Sequence, residues 1–252
     1  MLANMLIAKG ARGPALVLLT CFELYLRPGE CLKLRAVDVV PPISRSKAYR
    51  HYSVVVAPAE VGEMSKIGEF DNALPLDLAR HAALGPALEQ LVAKSAGAGW
   101  RKTEANLEKR GVVSTLQVFP FLARDVAKLV AEVVSECKID VGEIQLHRLR
   151  HAGASYDFIT KTRGLEDIRR RGRWKGWSSL RRYEKGPRLS QLLQKLDKPW
   201  QEFAIKCGDE IYNVVAGRRL PLALPCLPAS SSKSSAAKGV SAKKLRASAG
   251  PF

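Results

Sequence analysis

A chain of 252 residues with a hydrophobic fraction of 46% can build one large domain or two small ones around a proper core. Its formal charge of +17 argues for a polyanionic partner, because clustered Lys and Arg release counterions when they meet phosphates. The five cysteines (Cys21, Cys31, Cys137, Cys207 and Cys226) are odd in number and show no CxxC spacing; with no apolar run near the roughly 20 residues of a membrane span and no signal-peptide layout, they read as reduced thiols of a soluble, intracellular protein without disulfides, zinc or membrane anchor.

Residues 14–26, PALVLLTCFELYL, are apolar enough for a buried helix, and Leu26-Arg27-Pro28-Gly29 breaks it before a second short helix at about 29–36. From Val37 to Leu78 the runs VDVV, HYSVVVAP and ALPLDL, separated by Pro, Gly and Asp/Asn turns, predict a small antiparallel sheet. Residues 79–95 read as a helix, and 96–112, rich in Gly, Lys and Arg, as a loop open to DNA. In PFLARDVAKLVAEVVSEC (120–137), Leu122, Val126, Leu129, Val130 and Val133 recur on one helical face, which is most simply core. His51 and His81 have no partner motif and read as surface histidines. RLSQLLQKL and DKPWQEFAIKCGDEIYNVVAG predict helices near the C-terminus, and from Arg218 the composition shifts to a Ser/Ala/Lys-rich segment expected to be disordered. The expected fold class is mainly α with a small antiparallel β-sheet (α+β), with a domain over 1–217 and a basic tail over 218–252.

The charge excess is local. Residues 161–188 hold eleven Lys or Arg against three acids. A basic membrane-surface helix would be the competing reading, but Gly164, Gly172 and Gly176 interrupt it. This run belongs to HRLRHAGASYDFITKTRGLEDIRRRGRWKGWSSLRRYEKGPR (147–188), whose order of residue types suits attack on a phosphodiester. A phosphoryl transition state spreads negative charge over its non-bridging oxygens, and guanidinium forks with neutral donors stabilise it better than a lone ammonium. Tyr183 lies among those cations, and positive surroundings favour the phenolate needed for nucleophilic attack.

HRLRHAGAS, followed by Trp174 and, nine residues on, Tyr183, resembles the C-terminal signature of the tyrosine recombinases, the phage-integrase family. Tryptophan in place of the commoner histidine is similar to the Cre recombinase. LTCFELYLRPGECLKLRAVDV resembles the family's first arginine segment, with Arg27 in the arginine position and Glu30 as its acidic neighbour, and SKIGEF resembles the hairpin that carries the family's lysine, at Lys66. The likeness spans about 190 residues in the right order. It implies metal-independent DNA strand breakage and rejoining without a cofactor. Tyr183 would attack the scissile phosphate, Arg27 and Arg150 would hold its oxygens, His147 and Trp174 would add donors, Glu30 would position its neighbours, and Lys66 would protonate the leaving 5′-oxygen. It further implies double-stranded DNA as partner, a homo-oligomer joined through the segment after Tyr183, and residence with the DNA in nucleus or nucleoid. The helical clamp domain that members of the family usually carry before the catalytic one is expected to be absent from this chain, which would then be a fragment, take its clamp from a partner, or have lost the choice of a site.

Blander readings stand beside these. Arg27 alone is a solvent-facing arginine at a helix junction, Lys47 competes with Lys66, and both Trp174 and Trp177 can be packing residues. Spacing favours Trp174 for the site and leaves Trp177 to the core, while His151, off to the side of His147 and Arg150, takes a buttressing role. Arg169, Arg170, Arg171, Arg173, Lys175, Arg181 and Arg182 are expected along the DNA backbone. The helix after Tyr183 packs either on its own domain or on a neighbouring subunit. Two other functions remain open at this point: a DNA-binding protein that retains the fold without catalysis, and a type IB topoisomerase-like activity.

Overall fold

Arg12–Glu23 forms the helix on which the other elements pack, because it is apolar on nearly every side. Its Pro14 stands in the first turn, where a missing N–H breaks no helical bond, and Gly13 through Cys21 are all buried. A computed structural model describes residues 1–64, 68–138, 145–180, 190–191 and 193–225. In it, this helix, α2, is preceded by α1 (Leu2–Ala8) and followed by α3 (Pro28–Leu32). The junction is a left-handed turn at Tyr25 (φ 49°), after which Arg27 is extended (φ −69°, ψ 147°) and Pro28 starts α3 with its φ already set. The second helix is therefore shorter than the 29–36 expected. Arg35 leaves it in extended conformation, and its N–H donates to the Asp38 carboxylate (2.9 Å) to cap a 3-10 turn at Ala36–Asp38.

Strands β1 (Val39–Val40), β2 (Ser53–Val56) and β3 (Asn72–Pro75) make the antiparallel sheet in the order β1-β2-β3. Val54 pairs with Val39 on one side and Leu74 on the other, and all three side chains are buried. The period of two thus turns one face of the sheet to the helices. A 3-10 turn (Ala79–Ala83) leads into α4 (Leu84–Ala96), whose Leu84, Ala87, Leu88 and Val92 are buried.

The stretch expected as an open loop holds α5 (Trp100–Lys109) instead. Gly97, at a positive φ (86°) and extended ψ (156°) that glycine adopts freely, ends α4, and Trp100 then anchors the new helix in the core at 5% exposure. A single buried aromatic and a buried Glu104 are too sparse an apolar pattern to stand out among so many charges.

Helix α6 (Ala123–Glu136) follows, with Val126, Val130 and Val133 buried; Leu122 precedes it and is exposed rather than on that face. Helix α7 (Arg148–Ile159) lies against α2 so closely that a Cβ on Gly153 would sit 1.9 Å from the Phe22 carbonyl oxygen, so only glycine permits the approach. Helices α8 (Leu165–Arg171) and α9 (Lys198–Val215) follow. The apolar face of α9, with Trp200, Phe203, Cys207 and Ile211, packs into its own domain against α1 and α4. Beyond it the chain crosses back over α1, where Asn4 exchanges two hydrogen bonds with the Leu222 backbone (3.0 and 2.9 Å). The result is a mainly helical protein with a small three-stranded antiparallel sheet. Cys21, Cys31, Cys137 and Cys207 are buried free thiols, and Cys226 lies outside the described residues. No described helix is long and apolar enough to cross a membrane.

Candidate active site

The α2–α3 junction and the start of α7 meet at one carboxylate. Glu30 accepts from the Arg27 backbone N–H (2.8 Å) and from Arg27 Nη1 (2.6 Å), tying the N-cap residue to the first turn of α3. From the far side of the sequence, Arg150 Nη1 comes within 3.7 Å of Glu30, and Arg173 Nη2 donates to it at 2.6 Å. Burial alone would raise the Glu30 pKa, but Arg173 and Arg27 outweigh it and hold the carboxyl below its ordinary value. Three guanidinium groups around one carboxylate leave the cluster short of negative charge, which is the electrostatic state a phosphodiester would relieve.

Arg150 is buried at 3% exposure and fixed by two main-chain acceptors: Nη1 donates to the Tyr25 carbonyl (2.8 Å) and Nη2 to that of Gly172. Its guanidinium also lies over the Trp174 ring, 4.6 Å from the centroid. Trp174 in turn stacks on His151 (6.0 Å, 24°), and His151 meets His147 edge to face (6.4 Å). His151 therefore buttresses the indole, as its position beside the His147–Arg150 pair suggested, and His147 stands exposed at the N-terminal end of α7. A Cβ on Gly172 would lie 1.7 Å from the Trp174 ring, so that glycine lets the indole fold back over Arg150. Arg27, Glu30, Arg150 and Trp174 are thus gathered with the two histidines. Lys66, Tyr183, Arg181 and Arg182 lie outside the described residues. A groove of about 680 Å³ opens beside Arg27 and Glu30 and is bordered by Lys33, Val61, Met64 and Thr115.

Several residues assigned to a DNA-facing surface sit elsewhere. Arg170 and Lys175 are exposed, and Arg169 pairs with Glu166 (2.7 Å) at the surface. Arg171 and Arg173, by contrast, are buried at 7% and 5% exposure. Arg171 donates to the carbonyls of Glu23 (3.2 Å) and Pro75 (2.9 Å), because it follows Ile168 by three residues and shares its inward face on α8. Burial, with the like charge of Arg163, lowers its pKa to about 10. Trp177, expected in the core, is 55% exposed with the Arg169 guanidinium 5.4 Å from its ring centroid. The chain turns sharply at Arg173, whose φ of 53° is a left-handed value costing a non-glycine residue about 1–2 kcal/mol, and this turn selects Trp174 over Trp177 for the interior.

Behind the site lies a buried ionic network absent from the sequence reading. His81, expected at the surface, is 1% exposed, because the 3-10 turn after β3 directs its ring onto Glu23 of α2 (2.6 Å). Glu23 also accepts from Arg80 (2.9 Å) and from the Tyr212 hydroxyl of α9. Asp157 of α7 takes the Tyr25 hydroxyl, Arg80 and, at 3.4 Å, Arg163, while Arg163 reaches Asp77 (3.1 Å), two residues past β3. These contacts tie α2, α7, α9 and the sheet together and fix Tyr25, whose carbonyl orients Arg150.

Comparison of the chain with family models, curated proteins and solved structures finds no significant match.

The network sets an acid limit. Burial raises the pKa values of Glu23, Glu30 and Asp77, but bonds from His81 and Arg80, from Arg173 and Arg27, and from Arg163 and Arg171 respectively bring each below its ordinary value. A carboxyl whose folded pKa is depressed contributes stability above its unfolded pKa of roughly 4 and loses it as pH falls through the folded value. The urea midpoint should therefore be flat from neutral pH to about 5.5 and fall steeply below about 4.5, with Glu23→Gln losing part of that slope. A midpoint constant down to pH 3 would contradict the assignment.

Proposed function

We propose that the protein is a DNA strand transferase of the tyrosine recombinase type, cutting and rejoining DNA through a covalent 3′-phosphotyrosyl intermediate on Tyr183. One observation carries this reading: Arg27 and Arg150, far apart in sequence, meet over Glu30 at 2.6 and 3.7 Å, with Trp174 stacked beside the second. Positively charged forks fixed before any substrate arrives can stabilise charge developing on a phosphorane-like transition state without reorganising. In this scheme Arg27 and Arg150 hold the non-bridging oxygens, Glu30 sets the two forks, and His147 and the Trp174 indole N–H add donors. The Tyr183 phenolate oxygen, its proton already lost to solvent, forms a bond to phosphorus as the bond to the 5′-oxygen breaks. Lys66 gives that oxygen its proton, leaving a free 5′-hydroxyl that attacks the phosphotyrosine in another strand. Exposed cations such as Arg170 and Lys175 supply sequence-independent contacts to the duplex.

The test is a nicked suicide duplex, drawn from a random-sequence pool, incubated in EDTA. The parent should accumulate a protein–DNA adduct and Tyr183→Phe none. Salt-sensitive binding without an adduct would instead mark a DNA-binding protein that has kept the site but not the reaction, and relaxation of supercoiled plasmid without strand exchange would mark a topoisomerase.

A further inference from the structure

Arg173, expected along the DNA backbone, is instead a buried member of the Glu30 cluster, and the proposed reaction assigns it no catalytic task. Its side chain is 2% exposed and donates Nη2 to Glu30 at 2.6 Å, yet its Nε and Nη1 are buried and have no hydrogen-bond acceptor. Guanidinium nitrogens shut away from water normally find acceptors, and orphaned ones call for an explanation such as an unfilled ligand position. The backbone gives a second, independent sign. An arginine held at φ 53° is in a conformation that glycine adopts freely, and such strain persists where the side chain's position matters. Burial and the like charge of Arg27 both disfavour the charged form, leaving Glu30 as its main support. The residue before it, Gly172, presents the carbonyl that holds Arg150, so Arg173 is covalently tied to the frame of the site.

We propose that Arg173 is a third phosphate-binding arginine of this site, whose Nε and Nη1 donate to a non-bridging oxygen of a phosphodiester lodged among Arg27, Arg150 and Arg173. In the absence of phosphate, Glu30 keeps the guanidinium folded into the cluster. An arriving phosphate adds the missing acceptors, and Glu30 remains shared between Arg27 and Arg173. This assignment rests on the strand-transfer reading for its substrate, but binding of an inorganic anion tests it separately.

The experiment uses the full 252-residue chain and two variants, Arg173→Gly, which relieves the backbone strain, and Arg173→Lys, which keeps the charge and the Glu30 partner without the fork. Arg124→Ala, a change at an exposed side chain on α6, controls for net charge. Melting temperature is followed against orthophosphate with chloride at matched ionic strength, and single-turnover adduct formation is measured on the suicide duplex. Orthophosphate should raise the melting temperature of the parent and of Arg124→Ala above the chloride value. Arg173→Gly should lose that response and form adduct about a hundredfold more slowly, and Arg173→Lys should fall between. A phosphate response in Arg173→Gly equal to the parent's, or no response in the parent, overturns the proposal. If Arg173→Gly does not fold, unchanged phosphate response and adduct rate in Arg173→Lys overturn it. A parent that answers phosphate through Arg173 but forms no adduct would refute the strand-transfer reading while leaving Arg173 as an anion-binding residue.

Discussion

Arg150→Lys should slow single-turnover cleavage by about a hundredfold or more while changing general DNA affinity little. The charge is preserved, so the counterion term in binding is preserved with it. Geometry is lost. The arginine spans two carbonyls, Tyr25 and Gly172, while facing Glu30 and lying flat on Trp174. A lysine has one nitrogen and no planar face, so it cannot hold both carbonyls and still offer a two-pronged contact to phosphate. Loss of one fixed transition-state donor typically costs a hundredfold to a thousandfold in rate. Arg170→Ala is the matched contrast: its side chain is 71% exposed, so it should reduce the salt dependence of binding by about one charge and leave the chemical step alone. If Arg150→Lys cleaves as fast as the parent, the residue is not at the phosphate. Melting temperatures of both variants would show whether lost packing of Arg150 accounts for the effect.

Asp157→Ala should cost about 3–5 kcal/mol of folding stability, the usual result of removing one partner from a buried ionic network. Asp157 has no exposed surface, and it serves Arg80, Arg163 and the Tyr25 hydroxyl together. Alanine would strand the phenol without its acceptor and leave two guanidinium groups with only Glu23 and Asp77 to balance them. Glu136→Ala removes a carboxylate of the same charge from an exposed pair with Lys9 and should stay within about 0.5 kcal/mol. Urea unfolding of the two variants makes the comparison; near-equal losses would show that the network contributes no more than a surface pair.

How far the sequence could be read depended on the kind of signal. Helix α2 was legible because an unbroken apolar run has one destination, and the three strands because Pro, Gly and Asp/Asn turns punctuate them. The meeting of Arg27, Glu30 and Arg150 followed from resemblance, since nothing local in the chain brings residues so far apart together. Charged residues whose partners are remote were not legible. Glu23 interrupts an apolar helix and looks like a helix end facing water, and only the fold reveals that His81, Arg80 and Tyr212 converge on it. The run RRRGR reads as a uniform basic surface, although Arg170 faces out while Arg171 and Arg173 face in. A usable signal was present for Arg171, one helical turn from buried Ile168, and for Arg173, adjacent to the tryptophan already assigned to the site. Helix α5 escaped because one tryptophan and one buried glutamate make a weak period.

Whether Tyr183 carries the DNA through a phosphodiester is measured most directly by where the nucleotide ends up. Adduct trapped on a nicked duplex in EDTA can be digested with nuclease and protease and the modified peptide sequenced by mass spectrometry. The account predicts a 3′-phosphonucleotide on the Tyr183 hydroxyl and none in Tyr183→Phe. A nucleotide on any other side chain, or an adduct that persists in Tyr183→Phe, would contradict it.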